Sequence, residues 1–293
     1  MKLKNIVLSS LSLAILTAMT ACSTGTNNSP VQADQNLNTF SNGSGGATKY
    51  KLGFKLNTGK KVGLFNLKNT KGDGKADLRQ FCSPVADQGQ LGSCTAFAMG
   101  KGLREFLLIR DGQKLDSLSP LFLYYNERKI DGDINEDGGS TMATGMKALT
   151  ETGISKEATW PYKTSKFKIA PPAAAYTEGV KYELKNTKNL AGLQEIKDEL
   201  DKKNPVVFGF QVYSSFMDSS DGHPPVPNIK TEQLEGGHAV MAVGYDDAKG
   251  VLIMRNSWGA GWGDNGYFYM PYEYFKLGLV EDIWTASAIA RVN

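Results

Sequence analysis

The hydrophobic pattern changes period once along the chain, at Pro205, and that change constrains the fold more than any other feature. Before it, apolar residues recur at helical spacing. Ala96, Met99, Leu103, Phe106 and Leu107 share one face of a stretch that begins at Ser93 and stops at Asp111-Gly112, with Lys101, Arg104, Glu105 and Arg110 opposite. The same spacing predicts helices over 119–128, 140–152 and 190–203, the last carried by Leu193, Ile196 and Leu200. After Pro205 the apolar runs are β-rich, over 206–213, 239–245, 251–256, 267–270 and 283–289, with Gly- and Asp-rich turns between them. Helices first and strands second predict an α+β body of two lobes.

That body does not fill the chain. Lys2 and Lys4 precede an apolar run too short and too hydroxylated to span a bilayer, which closes on Met19-Thr20-Ala21-Cys22, so residues 1–21 are predicted to be a signal peptide. Cys22 directly after Thr20-Ala21 resembles the lipobox of bacterial lipoproteins, with Met19 where that group usually has Leu. The resemblance implies acylation of Cys22 and an envelope location, the outer membrane for a Gram-negative source, since residue 23 is Ser. An ordinary secretory cleavage, with a secreted or periplasmic product, is the alternative. Residues 22–48 are rich in Ser, Thr, Asn and Gly and predict a flexible tether.

Charge separates the next segment from the body. Residues 1–75 hold 10 Lys against Asp34 and Asp73, which leaves 23 basic and 28 acidic residues beyond, a net of −5. Nothing in such a body provides an electrostatic footprint for nucleic acid. Residues 49–75 carry eight Lys interleaved with Tyr50, Leu52, Phe54, Leu56, Val62, Leu64, Phe65 and Leu67. They are either a solvated basic arm or a covering segment that lies on the acidic body and partly occludes its cleft.

Three stretches are denser in reactive and punctuating residues than a packed core requires: DQGQLGSCTAFA (87–98), GGHAVMAVGYDD (236–247) and RNSWGAGWGDNGYF (255–268). Together they supply a Cys/His/Asn set. A thiol attacks as thiolate, and a helix N-terminus, where Cys94 is expected, stabilises that charge. A His supplies the acid/base partner and a third polar group fixes its ring, roles open to His238 and Asn256.

These stretches resemble those of the papain-like cysteine peptidases, the papain and cathepsin family. The likeness extends to Asp77-Leu78-Arg79, Pro84-Val85, Leu118-Ser119-Pro120, Tyr124-Tyr125, Gly138-Gly139, Gly153-Ile154 through Trp160-Pro161-Tyr162, and Pro205-Val206, covering most of residues 76–293. It implies a papain-like two-lobe fold, a helical left lobe and a β-barrel-like right lobe with the active-site cleft between them. The activity implied is peptide hydrolysis through a thioester, with Cys94 as nucleophile, His238 as acid/base and Asn256 orienting the imidazole. Gln88 would serve the oxyanion hole beside the Cys94 backbone N–H. Trp258 would roof the Asn–His contact, and Gly138 and Gly139 would form a backbone rail for an extended substrate. The partners implied are a peptide or protein substrate and, through the lipid, a membrane; a monomer is expected, and no cofactor or metal.

Departures from the family are specific. Leu91 and Glu136 stand where two bridging cysteines usually lie, which suggests a subgroup similar to bacterial members. Thr95 replaces a Trp after the nucleophile, and residues 23–75 are shorter than the usual helical pro-region and lack its pattern. Cys82 is expected to be a free thiol, a Cys82–Cys94 bridge being the inactive alternative. Asp133, Asn135 and Asp137 open like a calcium loop, but Thr144 stands where the bidentate Glu would be needed, so an Asp/Asn-rich turn is favoured. A peptide-binding pseudoenzyme and an acyl or amide transferase on the same residues are the competing functions.

Overall fold

The computed structural model describes residues 50–57 and 74–290. The signal peptide, Cys22, the tether and residues 58–73 lie outside the described residues.

The helical half is built around the stretch that starts at Cys94. It runs as α1 (Cys94–Ala96), a π-helical segment (Phe97–Arg104) and α2 (Glu105–Arg110). A wide turn of this kind inside a helix is uncommon and often marks a functional site. Two glycines let it lie against its neighbours: a Cβ at Gly100 would stand 2.8 Å from Ile154 Cδ1, and one at Gly102 would stand 3.2 Å from Met241 Sδ. Against this stretch packs α3 (Pro120–Asp131), opened by Ser119, whose hydroxyl accepts from the Phe122 amide, and closed by Gly132 at φ 83°. Next comes α4 (Met142–Glu151), capped by Thr141 through the Thr144 amide. The shorter α5 (Ala173–Gly179) and α6 (Leu193–Asp201) follow; α6 turns Leu193, Ile196 and Leu200 inward.

The strands are β1 (Lys75–Asp77), β2 (Leu184–Asn189), β3 (Val206–Tyr213), β4 (Leu234–Asp246), β5 (Val251–Arg255), β6 (Tyr267–Pro271) and β7 (Val280–Ile289). They form one antiparallel sheet in the order β2-β7-β3-β4-β5-β6, with β1 paired to the far end of β4. The sheet is open along that path, where the family likeness implied a barrel-like lobe. Two short helices, α7 (Ser214–Asp218) and α8 (Glu273–Lys276), decorate its connections. β3 is the hub: its apolar side chains Val206, Val207, Phe208, Phe210 and Val212 are fully buried, and it pairs with both β4 and β7.

Two registers set up the site. Phe210 pairs with His238 across β3 and β4, and Met241 pairs with Arg255 across β4 and β5. The second pairing carries Asn256, which follows β5, back alongside His238. Arg255, itself buried, donates to Ser83 O at 2.5 Å and Pro84 O at 2.9 Å. It thereby fixes the start of the loop that delivers Gln88. Among the described residues, no helix is long and apolar enough to cross a membrane.

Candidate active site

Cys94 is the first residue of its helix and is completely enclosed. Burial pushes its thiol up to about 12; the amides of Ala239, Gly53 and Thr95 act in the other direction, and the Glu127 carboxyl behind it adds to the rise. His238 is equally enclosed. Loss of water holds its ring down to about 4, although the bond to Asn256 favours the charged form. Burial thus favours the uncharged form of both groups in this enclosed state.

The backbone amide of Ala239, the residue after His238, bears on the Cys94 sulfur. His238 Nε2 lies 2.7 Å from Asn256 Oδ1, which also accepts from the Ser257 amide at 2.8 Å. Those bonds fix the ring and leave the buried Nδ1 without a hydrogen-bond partner among the described residues. Trp258 stacks on the imidazole at 4.7 Å between centroids and is itself 3% exposed, so it shields the Asn–His bond from water. Gln88 is held by its side-chain oxygen, which accepts from Ser257 Oγ at 2.6 Å, and by its backbone N–H, which donates to Ser257 O at 2.9 Å. Its Nε2 is left to donate to Leu91 O at 3.0 Å and to Lys51 O at 2.9 Å.

That last bond shows why the site is closed. Residues 50–57 lie extended through it. Phe54 N donates to Gly237 O at 3.0 Å, Ser140 N to Gly53 O at 2.9 Å and Lys55 N to Ser140 O at 2.8 Å, a parallel pairing of Phe54 with Ser140. Tyr50 stacks on the outer face of Trp258 at 4.4 Å and 8°. Phe54 is 4% exposed and its ring covers Gly209. Lys55 Nζ bridges Asp131 and Asp133 at 2.9 and 2.7 Å, and Lys51 approaches Asp137 at 3.9 Å. Glycine is required where the segment crosses: a Cβ on Gly53 would stand 2.0 Å from Gly92 O, and one on Gly139 would stand 1.8 Å from Gly53 O. The second position also has φ 73°, which disfavours any side chain.

Cys94, His238, Asn256, Gln88 and Trp258 thus come together from three distant stretches. Gly139 provides the close approach expected of a rail, but its own N–H donates to Tyr124 Oη at 3.1 Å, and the two hydrogen bonds to the extended segment belong to Ser140. Gly138 stands near the Asp133 carboxylate and Lys55. Cys22 lies outside the described residues. Cys82 and Cys94 are both free. Asp133, from the calcium-like run, pairs with Lys55, and Asp137 accepts from Gly92 N and Tyr124 Oη.

Three contributors had no signal in the sequence analysis. Ser257 positions Gln88, and Ser140 pairs with the segment. Glu127 accepts from Thr95 Oγ1 at 2.7 Å and is fully buried. Burial pushes its carboxyl up to about 8, against the Thr95 bond. Thr95, standing where the family likeness implied Trp, therefore adds a buried polar bond next to Cys94.

The sequence profile for papain family cysteine proteases matches residues 73–285. The chain belongs to the papain family. It is a papain-like cysteine peptidase, a hydrolase. An uncharacterized peptidase C1-like protein of Acanthamoeba polyphaga mimivirus is 39% identical over 241 residues, 76% of this chain and 78% of that one. Mouse pro-cathepsin H is 31% identical over 203 residues, 67% of this chain and 59% of its own length. Xylellain, a cysteine protease from Xylella fastidiosa, superposes with a TM-score of 0.69 at 34% identity, covering 82% of this chain and 95% of that structure. Membership gives the papain fold and thiol-peptidase class, and the geometry above shows which residues of this chain occupy its cleft.

Proposed function

We propose that this papain-family member hydrolyses peptide bonds with Cys94 as nucleophile, His238 as acid and base, Asn256 as orienter and Gln88 as oxyanion donor, and that residues 50–57 hold it latent. The observation that carries the reading is the 2.7 Å His238–Asn256 bond, which leaves a single imidazole nitrogen, Nδ1, for the thiol.

With residues 50–57 gone, water and substrate reach the pair, the desolvation that keeps both groups neutral is relieved, and the Cys94 proton passes to Nδ1. The thiolate sulfur adds to the substrate carbonyl carbon. The negative charge that develops on oxygen is met by Gln88 Nε2 and the Cys94 backbone N–H. In the closed state Lys51 O, bonded to that same Nε2 at 2.9 Å, stands where an acyl oxygen would be recognised. Collapse expels the amine, protonated by Nδ1, and leaves a Cys94 thioester. Water attacks that thioester while Nδ1 accepts its proton, and the acid product leaves with the thiol restored. Trp258 keeps the Asn–His bond dry throughout.

Residues 1–22 extend the proposal to place: a chain processed before Cys22 and acylated there would hold the peptidase at a cell-envelope membrane on a tether ending near residue 48. The deciding experiment for the chemistry is incubation of the purified protein with a peptide library and mapping of cleavages by mass spectrometry. Cleavage that disappears in Cys94→Ala supports the assignment, and cleavage that persists in it refutes it.

A further inference from the structure

One side chain joins the loop that carries the oxyanion donors to the wall that faces an extended chain. The family likeness implies a disulfide for that join, at positions held here by Leu91 and Glu136. The residue after each supplies a different link: Gly92 N donates to Asp137 Oδ1 at 3.0 Å and to Oδ2 at 3.2 Å. Asp137 Oδ1 also accepts from Tyr124 Oη at 2.6 Å, and Tyr124 Oη in turn accepts from Gly139 N at 3.1 Å. A single carboxylate thus ties together the nucleophile loop, α3 and the 138–140 wall. The contact has little slack, since a Cβ on Gly92 would stand 3.1 Å from Asp137 Oδ1.

The link reaches the chemistry through one peptide plane. Gly92 N–H and Leu91 C=O belong to the same peptide unit, which is planar and trans, so the two groups point in opposite directions and turn together. Asp137 holds the N–H, and Leu91 O accepts from Gln88 Nε2 at 3.0 Å and from Ser93 N at 2.7 Å. Gln88 Nε2 carries two hydrogens. Leu91 O takes one, and the other, given to Lys51 O in the closed state, is the one available to an oxyanion. Fixing Leu91 O therefore aims that second hydrogen. Hydrogen bonds onto a carboxylate are stronger than neutral ones, and burial together with the Asp137 charge pushes the Tyr124 phenol well above its usual range, so it remains a donor. These contacts lie within residues 88–139 and persist when residues 50–57 leave; what Asp137 loses then is the approach of Lys51 at 3.9 Å.

We propose that Asp137 is a positioning residue for the oxyanion hole: by gripping the Leu91–Gly92 peptide it aims Gln88 Nε2, and it joins the two cleft walls where the family likeness implies a disulfide. The proposal rests on the peptidase reading above and adds a residue to its machinery. Two consequences separate this role from a merely structural contact. The effect of Asp137 on rate passes through Gln88, and it is felt in a step that develops negative charge on oxygen.

The test uses the full chain carrying Phe54→Ala, so that the cleft is open, with Asp137→Ala and Gln88→Ala introduced singly and together. On one good peptide Asp137→Ala should lower kcat about tenfold and move KM by less than about twofold. In the Gln88→Ala background the same substitution should change kcat by less than about twofold, because the group it aims is gone. Alkylation of Cys94 by iodoacetamide displaces iodide and develops no oxyanion, so its rate in Asp137→Ala should stay within about twofold of the Phe54→Ala parent. Asp137→Asn keeps an acceptor for Gly92 N–H and should restore most of kcat. Asp137→Ser, polar but too short to reach Gly92 N, repeats the measurements if the Ala variant does not accumulate. An unchanged kcat, a loss of equal size in both backgrounds, or an alkylation rate that falls as far as kcat overturns the proposal and leaves the peptidase reading intact. Absence of cleavage in the Phe54→Ala parent would instead remove the peptidase reading, and this proposal with it.

Discussion

Replacing Phe54 by Ala should open the cleft, and the size of the effect follows from its burial. The ring is 4% exposed and sits over Gly209, so the substitution exposes nearly a whole phenyl group's worth of contact. Burial of a Phe side chain contributes about 1.5–3 kcal/mol relative to leaving it in water. The backbone bonds from Phe54 N and Lys55 N survive in the variant, so the loss should be confined to the side chain, about 2 kcal/mol. Since 1.4 kcal/mol is tenfold in an equilibrium, the open fraction should rise roughly 30-fold. Alkylation of Cys94 by iodoacetamide reports that fraction when closing is faster than the chemistry, and mass spectrometry separates Cys94 from the half-buried Cys82. Lys55→Ala should raise the rate only a few-fold, because a half-exposed ammonium shared by Asp131 and Asp133 contributes about 0.2–1 kcal/mol per pair. Salt should erase the Lys55 effect and spare the Phe54 effect. An alkylation rate in Phe54→Ala equal to that of the parent would refute the reasoning, since it would mean that the segment does not gate Cys94.

Cys94→Ala should abolish peptide hydrolysis, Asn256→Ala should leave a residue of it because Asn only orients the ring, and Gln88→Ala should lower kcat by about ten- to a thousandfold; steady-state kinetics on one good peptide distinguishes the three. Glu127→Gln should stabilise the fold at pH 8 and leave it nearly unchanged at pH 5. Its folded carboxyl is raised to about 8, so Glu127 costs almost nothing below the unfolded value near 4.5 and a growing amount up to pH 8, on the order of 4 kcal/mol. Thermal melts at the two pH values check the sign. A fatty-acid analogue fed to cells should label the protein through Cys22, and Cys22→Ser should abolish the label and release the protein from the membrane fraction.

Much of the fold was legible because burial writes itself into periodicity. The stretch from Ser93 to Arg110, the helices near 120–131 and 142–151, and β3, β5 and β6 fall where their patterns place them. β2 did not, for a physical reason: LKNTKN has one buried residue, Leu184, and is an edge strand paired on one side to β7. Its pairing comes from the partner, not from its own alternation. β4 extends further at its start than the pattern predicts, since Gly236 and Gly237 have poor strand propensity but are held by pairing with Val212 and Gln211 of β3, with Glu235 passed over where the register shifts. β1, three residues long, and α5, with Ala175 and Gly179 its buried residues, carry too little pattern to read.

The sequence by itself determined the division into helical and strand-forming halves, the residues able to do thiol chemistry, and the mismatch of charge between residues 49–75 and the body. Each of these is a property of residue type or local spacing. Tertiary structure decided what depends on distance between segments far apart in the chain. Ser257 and Gln88 meet across 169 residues, Glu281 receives the Asn57 amide across 224, and Lys55 reaches Asp133 across 78. Such contacts leave no periodic trace, because neither partner's neighbours in sequence are shaped by them. The environment of Cys94 is of the same kind: its place at a helix start favours a thiolate, yet complete burial among distant segments pushes its thiol up to about 12.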